Sequence, residues 1–176
     1  MSRRISRVVV VAGTWAALST ASRGQDVKCE KYTLDNGLVV ILHEDHTLPL
    51  AAINTWFRVG SKDEPLGRSG FAHLFEHLMF MGTQRVPGNE FDELMEAGGG
   101  ANNASTAEDR TNYYSSGPAP LLPTLLWLDA DRLEDLGRTM DQAKLDKQRD
   151  VVRNERRQSY ENQPYGKAEL RFQLIL

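Results

Sequence analysis

The chain has 176 residues, of which 40% are apolar and 26% are charged, and its formal net charge is −3. This length and composition are typical of one globular domain with its own core, and they exclude collagen-like and intrinsically disordered chains. The slightly acidic charge gives no electrostatic reason to expect nucleic-acid binding, and no apolar run is long enough for a stable membrane span. Because Cys29 is the single cysteine, any metal site here requires nitrogen and oxygen ligands.

The first 21 residues have the pattern of an export signal. Arg3, Arg4 and Arg7 precede an apolar stretch at 8–18, and small residues end at Ala21. This pattern predicts a signal peptide over 1–21 and an exported protein, either periplasmic or secreted. The alternative is a mitochondrial presequence, which is also rich in arginine and serine and would direct the protein to the mitochondrial matrix.

Strand and helix patterns alternate along the rest of the chain. Strands are expected at 38–42, 51–57, 101–107 and 111–116, and helices at 70–81, 89–97, 118–137 and 141–160. Ser69 is the expected N-cap of the first helix, and Gly137 is expected to end the third. This order predicts an α+β fold with a mixed, mainly antiparallel sheet covered by helices.

The first predicted helix contains His73-Leu74-Phe75-Glu76-His77, which has the form H-x-x-E-H. At about 100° per residue, the two histidines lie one turn apart on one face, and Glu76 lies on the adjoining face. Two imidazoles placed in this way can bind one zinc ion, and the carboxylate can take a proton from zinc-bound water. The alternative is that both histidines pack in the core with Phe71 and Phe75, which would bury polar groups at a cost of several kcal/mol each.

A catalytic zinc site also needs a third protein ligand from another segment. Glu155 is the candidate, because Val151 and Val152 in the same predicted helix favour packing against the domain. Considered without further information, Glu155 also fits an ordinary pair of surface charges at i,i+4 spacing. The residues themselves leave both interpretations open.

Several short patterns occur in a fixed order along the chain. They are Tyr32-x-Leu34-x-Asn36-Gly37-Leu38, Gly60-Ser61-x-Asp63-Glu64, the segment 70–83 around the H-x-x-E-H motif, Asn103-Ala104-x-Thr106, and Val152-x-Asn154-Glu155-Arg156-Arg157. Together they resemble the pitrilysin and insulinase family of zinc peptidases, to which the mitochondrial processing peptidases and many exported bacterial proteins belong. The resemblance extends from residue 31 to residue 166.

The resemblance implies a zinc metalloendopeptidase that hydrolyses peptide bonds in short or unfolded polypeptides. It implies Zn²⁺ as the cofactor, with His73, His77 and Glu155 as its ligands and Glu76 as the general base. It also implies that the strand around Asn103 and Ala104 borders the cleft and binds the backbone of an extended substrate. Without the resemblance, an asparagine close to a glycine run is simply a turn residue.

Two features depart from the family pattern. Gln148 occupies a position, two helical turns before Glu155, where some branches carry a second acidic residue. Family members also contain a second homologous lobe, so residues 22–176 are expected to be an N-terminal catalytic lobe, incomplete at its C-terminus, that needs a second lobe or subunit. The alternative is a non-catalytic scaffold or partner subunit, although such members typically lose one or more ligands.

Overall fold

The computed structural model describes residues 27–173, so the predicted signal peptide lies outside the described residues. The chain divides into two compact units, one up to His46 and one from Thr47 onwards. The strands are β1 (Glu30–Thr33), β2 (Val39–Leu42), β3 (Leu50–Phe57), β4 (Ala101–Thr106) and β5 (Thr111–Pro118). The helices are α1 (Phe71–Leu78), α2 (Glu90–Ala97), α3 (Leu122–Thr139), α4 (Gln142–Arg156) and α5 (Gly166–Gln173).

The first unit is an antiparallel hairpin of β1 and β2, in which Glu30 lies opposite Leu42. Gly37 has a φ of 88°, which an L-residue rarely adopts, and this conformation closes the turn between the two strands. The Asn36 side-chain oxygen accepts a hydrogen bond from the Leu38 N–H at 3.1 Å. The hairpin therefore forms at the turn signal that the sequence contains.

The second unit contains an antiparallel sheet in the order β3-β5-β4, with β4 at one edge among the described strands. The helices α1, α2 and α3 pack against this sheet. Its apolar core consists of Val86, Phe91, Met95, Leu125 and Leu128. These observations confirm the predicted α+β fold with antiparallel sheets and helices. None of the helices within 27–173 is both long and apolar enough to cross a bilayer.

The N-terminus of α1 is capped differently from the sequence expectation. Ser69 does not cap it; the N-cap is Gly70, at a φ of 92°. The Glu64 carboxylate accepts the Gly70 N–H at 2.8 Å and the Ala72 N–H at 2.7 Å. A carboxylate satisfies two free N–H groups and interacts favourably with the positive end of the helix, which a serine hydroxyl cannot do as strongly.

The same loop also holds the end of the β4–β5 hairpin. The Ser61 N–H donates to the Ala107 carbonyl at 3.1 Å, and the Lys62 N–H donates to the Glu108 carbonyl at 2.9 Å. A Cβ at Gly60 would lie 2.3 Å from the Ala107 oxygen, so this close backbone approach requires glycine. The segment 60–64, called the anchor loop below, thus fixes both α1 and the hairpin.

One predicted helix end was wrong. Gly137 lies inside α3, which continues to Thr139 and ends where Met140 adopts an extended backbone. Glycine tolerates helical dihedral angles and ends a helix only where a left-handed residue is required. The long polar helix is α-helical to Arg156 and continues as a π-helical turn over Arg157–Glu161, close to its predicted end at 160.

Candidate metal centre

The structure brings the three predicted metal ligands together, although they are distant in sequence. Helix α4 packs alongside α1, which places Glu155 beside both histidines. The Glu155 carboxylate oxygen lies 3.2 Å from His77 Nε2 and 3.7 Å from His73 Nε2. The two imidazole Nε2 atoms are 3.2 Å apart. Within the described part of the chain, no other cluster of His, Cys, Asp and Glu could hold a metal ion.

These donor atoms suit a zinc ion. Ligands about 2.0–2.1 Å from a tetrahedral zinc ion lie about 3.3 Å from one another. The three donor separations, between 3.2 and 3.7 Å, are close to this value. Two nitrogen donors and one oxygen donor are also the set that catalytic zinc sites use, with a fourth position left for water or substrate.

The site is open to solvent on one side. The side chains of His73, His77 and Glu155 retain 35%, 23% and 46% of their accessible surface. Phe71 and Phe75, which were expected in the core, are about half exposed on another face of α1. The alternative in which both histidines are ordinary core residues therefore has no support, because the face that carries them reaches solvent.

Glu76 has a hydrogen-bond partner on the sheet. The Thr106 hydroxyl donates to Glu76 Oε2 from the last residue of β4. The Thr106 oxygen also lies 3.4 Å from the hydroxyl of Thr111, directly opposite on β5. The carboxylate expected to act as base is therefore held between α1 and the sheet.

A buried arginine packs against Tyr113 on the sheet. The Arg132 guanidinium on α3 stacks on Tyr113 at 4.6 Å from the ring centre and forms an ion pair with Asp129 at 2.5 Å. Burial raises the pKa of Tyr113 to about 12; the positive charge of Arg132 opposes this shift, and the negative charge of Glu76 adds to it. The phenol is thus neutral at physiological pH and adds no charge beside the site.

The strand expected to bind substrate runs beside α1. Asn103 and Ala104 lie on the edge strand β4, where the Asn103 side chain is exposed and Ala104 is buried. The Asn103 side-chain oxygen accepts the Ala104 N–H at 2.8 Å. An edge strand offers backbone groups to a further strand, so the geometry allows an extended peptide to pair there.

Comparison with known proteins places the chain in one family. A sequence profile described as Insulinase (Peptidase family M16) matches residues 39–173. The chain belongs to peptidase family M16.

Named M16 relatives include proteins of different kinds. The zinc protease PqqE of Helicobacter pylori is 36% identical over 146 residues, which are 82% of this chain and 32% of that protein. The mitochondrial cytochrome b-c1 complex subunit 1 of Bos taurus is 32% identical over 122 residues, which are 69% of this chain and 25% of that protein. The family therefore includes both proteases and a subunit of a larger complex.

A solved M16 structure has the same fold. The crystal structure of a protease from Helicobacter pylori matches with a TM-score of 0.75 and 35% identity, over 80% of this chain and 33% of that one. This chain thus spans between a quarter and a third of the length of these three relatives.

Other residues of the M16 site differ from the sequence expectation or were missed by it. Gln148, at the position of a second acid in some branches, donates through its amide to the Met81 sulfur at 2.6 Å. Sequence reasoning assigned no role to Thr106 or Glu64. Both occur in patterns that were recognised, Asn103-Ala104-x-Thr106 and Gly60-Ser61-x-Asp63-Glu64, but nothing in the sequence indicates which side chain each would contact.

Proposed function

We propose that this chain is the zinc-binding lobe of a metalloendopeptidase that hydrolyses peptide bonds in short or unfolded polypeptides. The observation that carries the proposal is the group of three donor atoms 3.2–3.7 Å apart, formed by His73, His77 and Glu155. Membership of peptidase family M16 and similarity to named zinc proteases support it.

The residues of α1 and α4 would divide the chemistry between them. His73, His77 and Glu155 would hold Zn²⁺, which when bound polarises a carbonyl group and lowers the pKa of a water molecule to about 7. Glu76 would accept a proton from the attacking water and later donate one to the leaving amine. Because Thr106 binds one carboxylate oxygen, the other oxygen of Glu76 is available for this proton transfer.

The substrate would lie along the edge strand β4. A peptide that pairs with this strand would replace the hydrogen bond between the Asn103 side chain and the Ala104 N–H. The Asn103 side chain would then be free to bind the peptide backbone. Since backbone pairing is independent of side chains, this mode suits extended segments of unfolded polypeptides.

A second homologous lobe or subunit is the partner that we propose. The chain spans about a third of the length of the two similar Helicobacter pylori proteases, and a relative in the same family is a subunit of a complex. The alternative function is a non-catalytic scaffold or partner lobe. The peptidase proposal is preferred because the three candidate ligands lie together in space and Glu76 directly precedes His77 in the sequence.

For the compartment, we propose export to the periplasm or the medium, on the basis of residues 1–21. The similar subunit from Bos taurus is mitochondrial by name, so import into the mitochondrial matrix is the alternative. Mass measurement of the mature N-terminus after cell fractionation tests this: cleavage after residue 21 in the exported fraction is the expected result.

Metal analysis of purified variants tests the function. We expect about one zinc per chain in the wild type and in Glu76→Gln, and loss of zinc in Glu155→Gln. Substitution of a zinc-ligating residue should weaken zinc binding more than substitution of a residue that only hydrogen-bonds to a ligand, which weakens it about 10- to 100-fold. Asp150→Asn is the matched control, because Asp150 lies on the same helix and forms an exposed ion pair with Arg153, at 3.8 Å.

Hydrolysis of a quenched unstructured peptide by the same proteins completes the test. The wild type and Asp150→Asn should cleave the peptide, whereas Glu76→Gln and Glu155→Gln should not. Zinc without cleavage, even after addition of a homologous second lobe, would favour the scaffold function. A wild-type protein that binds no zinc would contradict the site assignment.

A further inference from the structure

We infer that Thr106 is a positioning residue for the general base, an inference that rests on the proposed function of Glu76. Thr106 is the last residue of β4, and its hydroxyl donates to Glu76 Oε2. A hydrogen bond to a charged carboxylate is roughly twice as strong as one between neutral groups. The bond therefore selects one orientation of a side chain that otherwise has three rotatable torsions.

The hydroxyl hydrogen of Thr106 has only one good acceptor. The nearest alternative, the Thr111 oxygen, is 3.4 Å away, which is longer than an ordinary O–H···O bond of about 2.5–3.0 Å. The Thr111 hydroxyl donates its own hydrogen to the Val59 carbonyl at 2.9 Å and so does not compete for Glu76. The hydrogen of Thr106 is thus directed at the carboxylate.

The two partners are fixed by a common support. The anchor loop binds the N-terminus of α1 through Glu64 and the end of the β4–β5 hairpin through the Ser61 and Lys62 N–H groups. Glu76 lies on that helix. Thr106 directly precedes Ala107, whose carbonyl accepts the hydrogen bond from the Ser61 N–H of the loop. Because one short loop holds both elements, these hydrogen bonds of the anchor loop set the distance between Thr106 and Glu76.

Positioning of this kind should affect turnover more than substrate binding. Thr106 would contact neither the substrate nor the metal through its hydroxyl, so its removal leaves the affinity for both unchanged. The orientation of the proton acceptor matters in the transition state, where small misplacements reduce the rate. A loss of kcat at nearly constant KM and constant zinc content is the expected signature.

The test compares three variants of the full chain, loaded with zinc and supplied with its second lobe if one is needed. Thr106→Val removes the hydroxyl at nearly constant volume, and Thr106→Ser restores it. Thr55→Val is the matched control, because the Thr55 hydroxyl donates to the Asp129 carboxylate at 2.6 Å elsewhere in the same sheet. That control reproduces the structural cost of losing a threonine–carboxylate bond without affecting Glu76.

The kinetic result expected for Thr106→Val is a kcat about 10- to 100-fold below that of the wild type, with KM within about threefold. Thr106→Ser should recover most of the loss, and Thr55→Val should keep the wild-type kcat. An unchanged kcat in Thr106→Val, or an equal loss in Thr55→Val, would overturn the inference.

A second measurement does not depend on peptidase activity. In protein labelled with ¹³C at the glutamate carboxyl carbons, the Glu76 resonance is assigned by its disappearance in Glu76→Gln. We expect it to shift in Thr106→Val, to return in Thr106→Ser and to stay in place in Thr55→Val. A resonance that does not move in Thr106→Val overturns the inference. An inactive wild type in which the resonance moves would refute the proposed function and leave the contact established.

Discussion

The close backbone approach at Gly60 yields a quantitative prediction for Gly60→Ala. The new Cβ would lie 2.3 Å from the Ala107 oxygen and 2.5 Å from the carbonyl carbon of Glu108. Non-bonded carbon atoms prefer about 3.5–4.0 Å, and these neighbours are backbone atoms, so the hairpin must move by about 1 Å. That movement stretches the hydrogen bonds from Ser61 and Lys62, at 3.1 and 2.9 Å.

The expected loss of stability combines steric overlap and weakened hydrogen bonds. Overpacking costs about 1–3 kcal/mol, and each weakened bond costs about 0.5–1.5 kcal/mol. With two such bonds, the free energy of unfolding should therefore fall by about 2–6 kcal/mol. For a domain of this size, Tm changes by about 2–4 °C per kcal/mol, so we expect Tm to fall by at least about 4 °C.

Thermal unfolding followed by circular dichroism measures this change. Gly137→Ala is the control, because a Cβ added at Gly137 would meet no atom within 4 Å and alanine favours the helix; its Tm should equal or exceed that of the wild type. A Tm for Gly60→Ala within about 2 °C of the wild type would refute the steric argument. Because the hairpin carries Thr106, Gly60→Ala should also lose peptidase activity while it retains zinc.

Three further predictions concern charge and metal. Arg132→Met should lower the free energy of unfolding in urea by about 3–5 kcal/mol, because Asp129 is left buried without its cation; Arg153→Met, on an exposed pair, should change it by less than about 1 kcal/mol. The pKa of Tyr113 is raised to about 12 in the folded state, so between about pH 10 and pH 12 the folded protein keeps a proton that the unfolded chain has lost. Because the folded state binds more protons in this range, Tm should fall as pH rises from about 10 to about 12. Tyr113→Phe should remove that part of the pH dependence. Excess zinc at 100 times its Kd should stabilise the wild type by about 2.7 kcal/mol, an increase that chelator reverses and that Glu155→Gln lacks.

The parts of the fold that depend on local pattern could be predicted from the sequence. A continuous β-rich run predicted the strand at 38–42, observed at Val39–Leu42, and the second helix was predicted to within one residue. The spacing of His73 and His77 placed them on one helical face without knowledge of the tertiary structure. The spacing of residues along a helix follows from backbone geometry, so it can be read from the sequence whatever the helix packs against.

The contacts between distant segments could not be predicted in this way. Glu155 lies 78 positions after His77 in the chain, and only the packing of α4 on α1 brings its carboxylate to 3.2 Å from that imidazole. The cap of α1 is similar: Ser69 has the right local position, but Glu64 makes the bonds because the anchor loop folds back onto the helix. Such choices depend on tertiary geometry, which outweighs local propensity.

The buried aspartates of α3, which are Asp129, Asp131 and Asp135, affect how that helix is positioned on the sheet. Leu125 and Leu128 are buried, yet leucines at helical spacing would allow α3 to slide along the sheet by one turn, about 5.4 Å. The buried carboxylates do not allow it. They bind groups outside the helix: Asp129 accepts a hydrogen bond from the Thr55 hydroxyl on β3, and Asp131 and Asp135 accept from the Thr83 hydroxyl and the Gln84 N–H of one loop. A one-turn displacement would break all three of these hydrogen bonds. The leucines therefore hold the helix against the sheet, and the hydrogen bonds of the aspartates fix its position along its own axis.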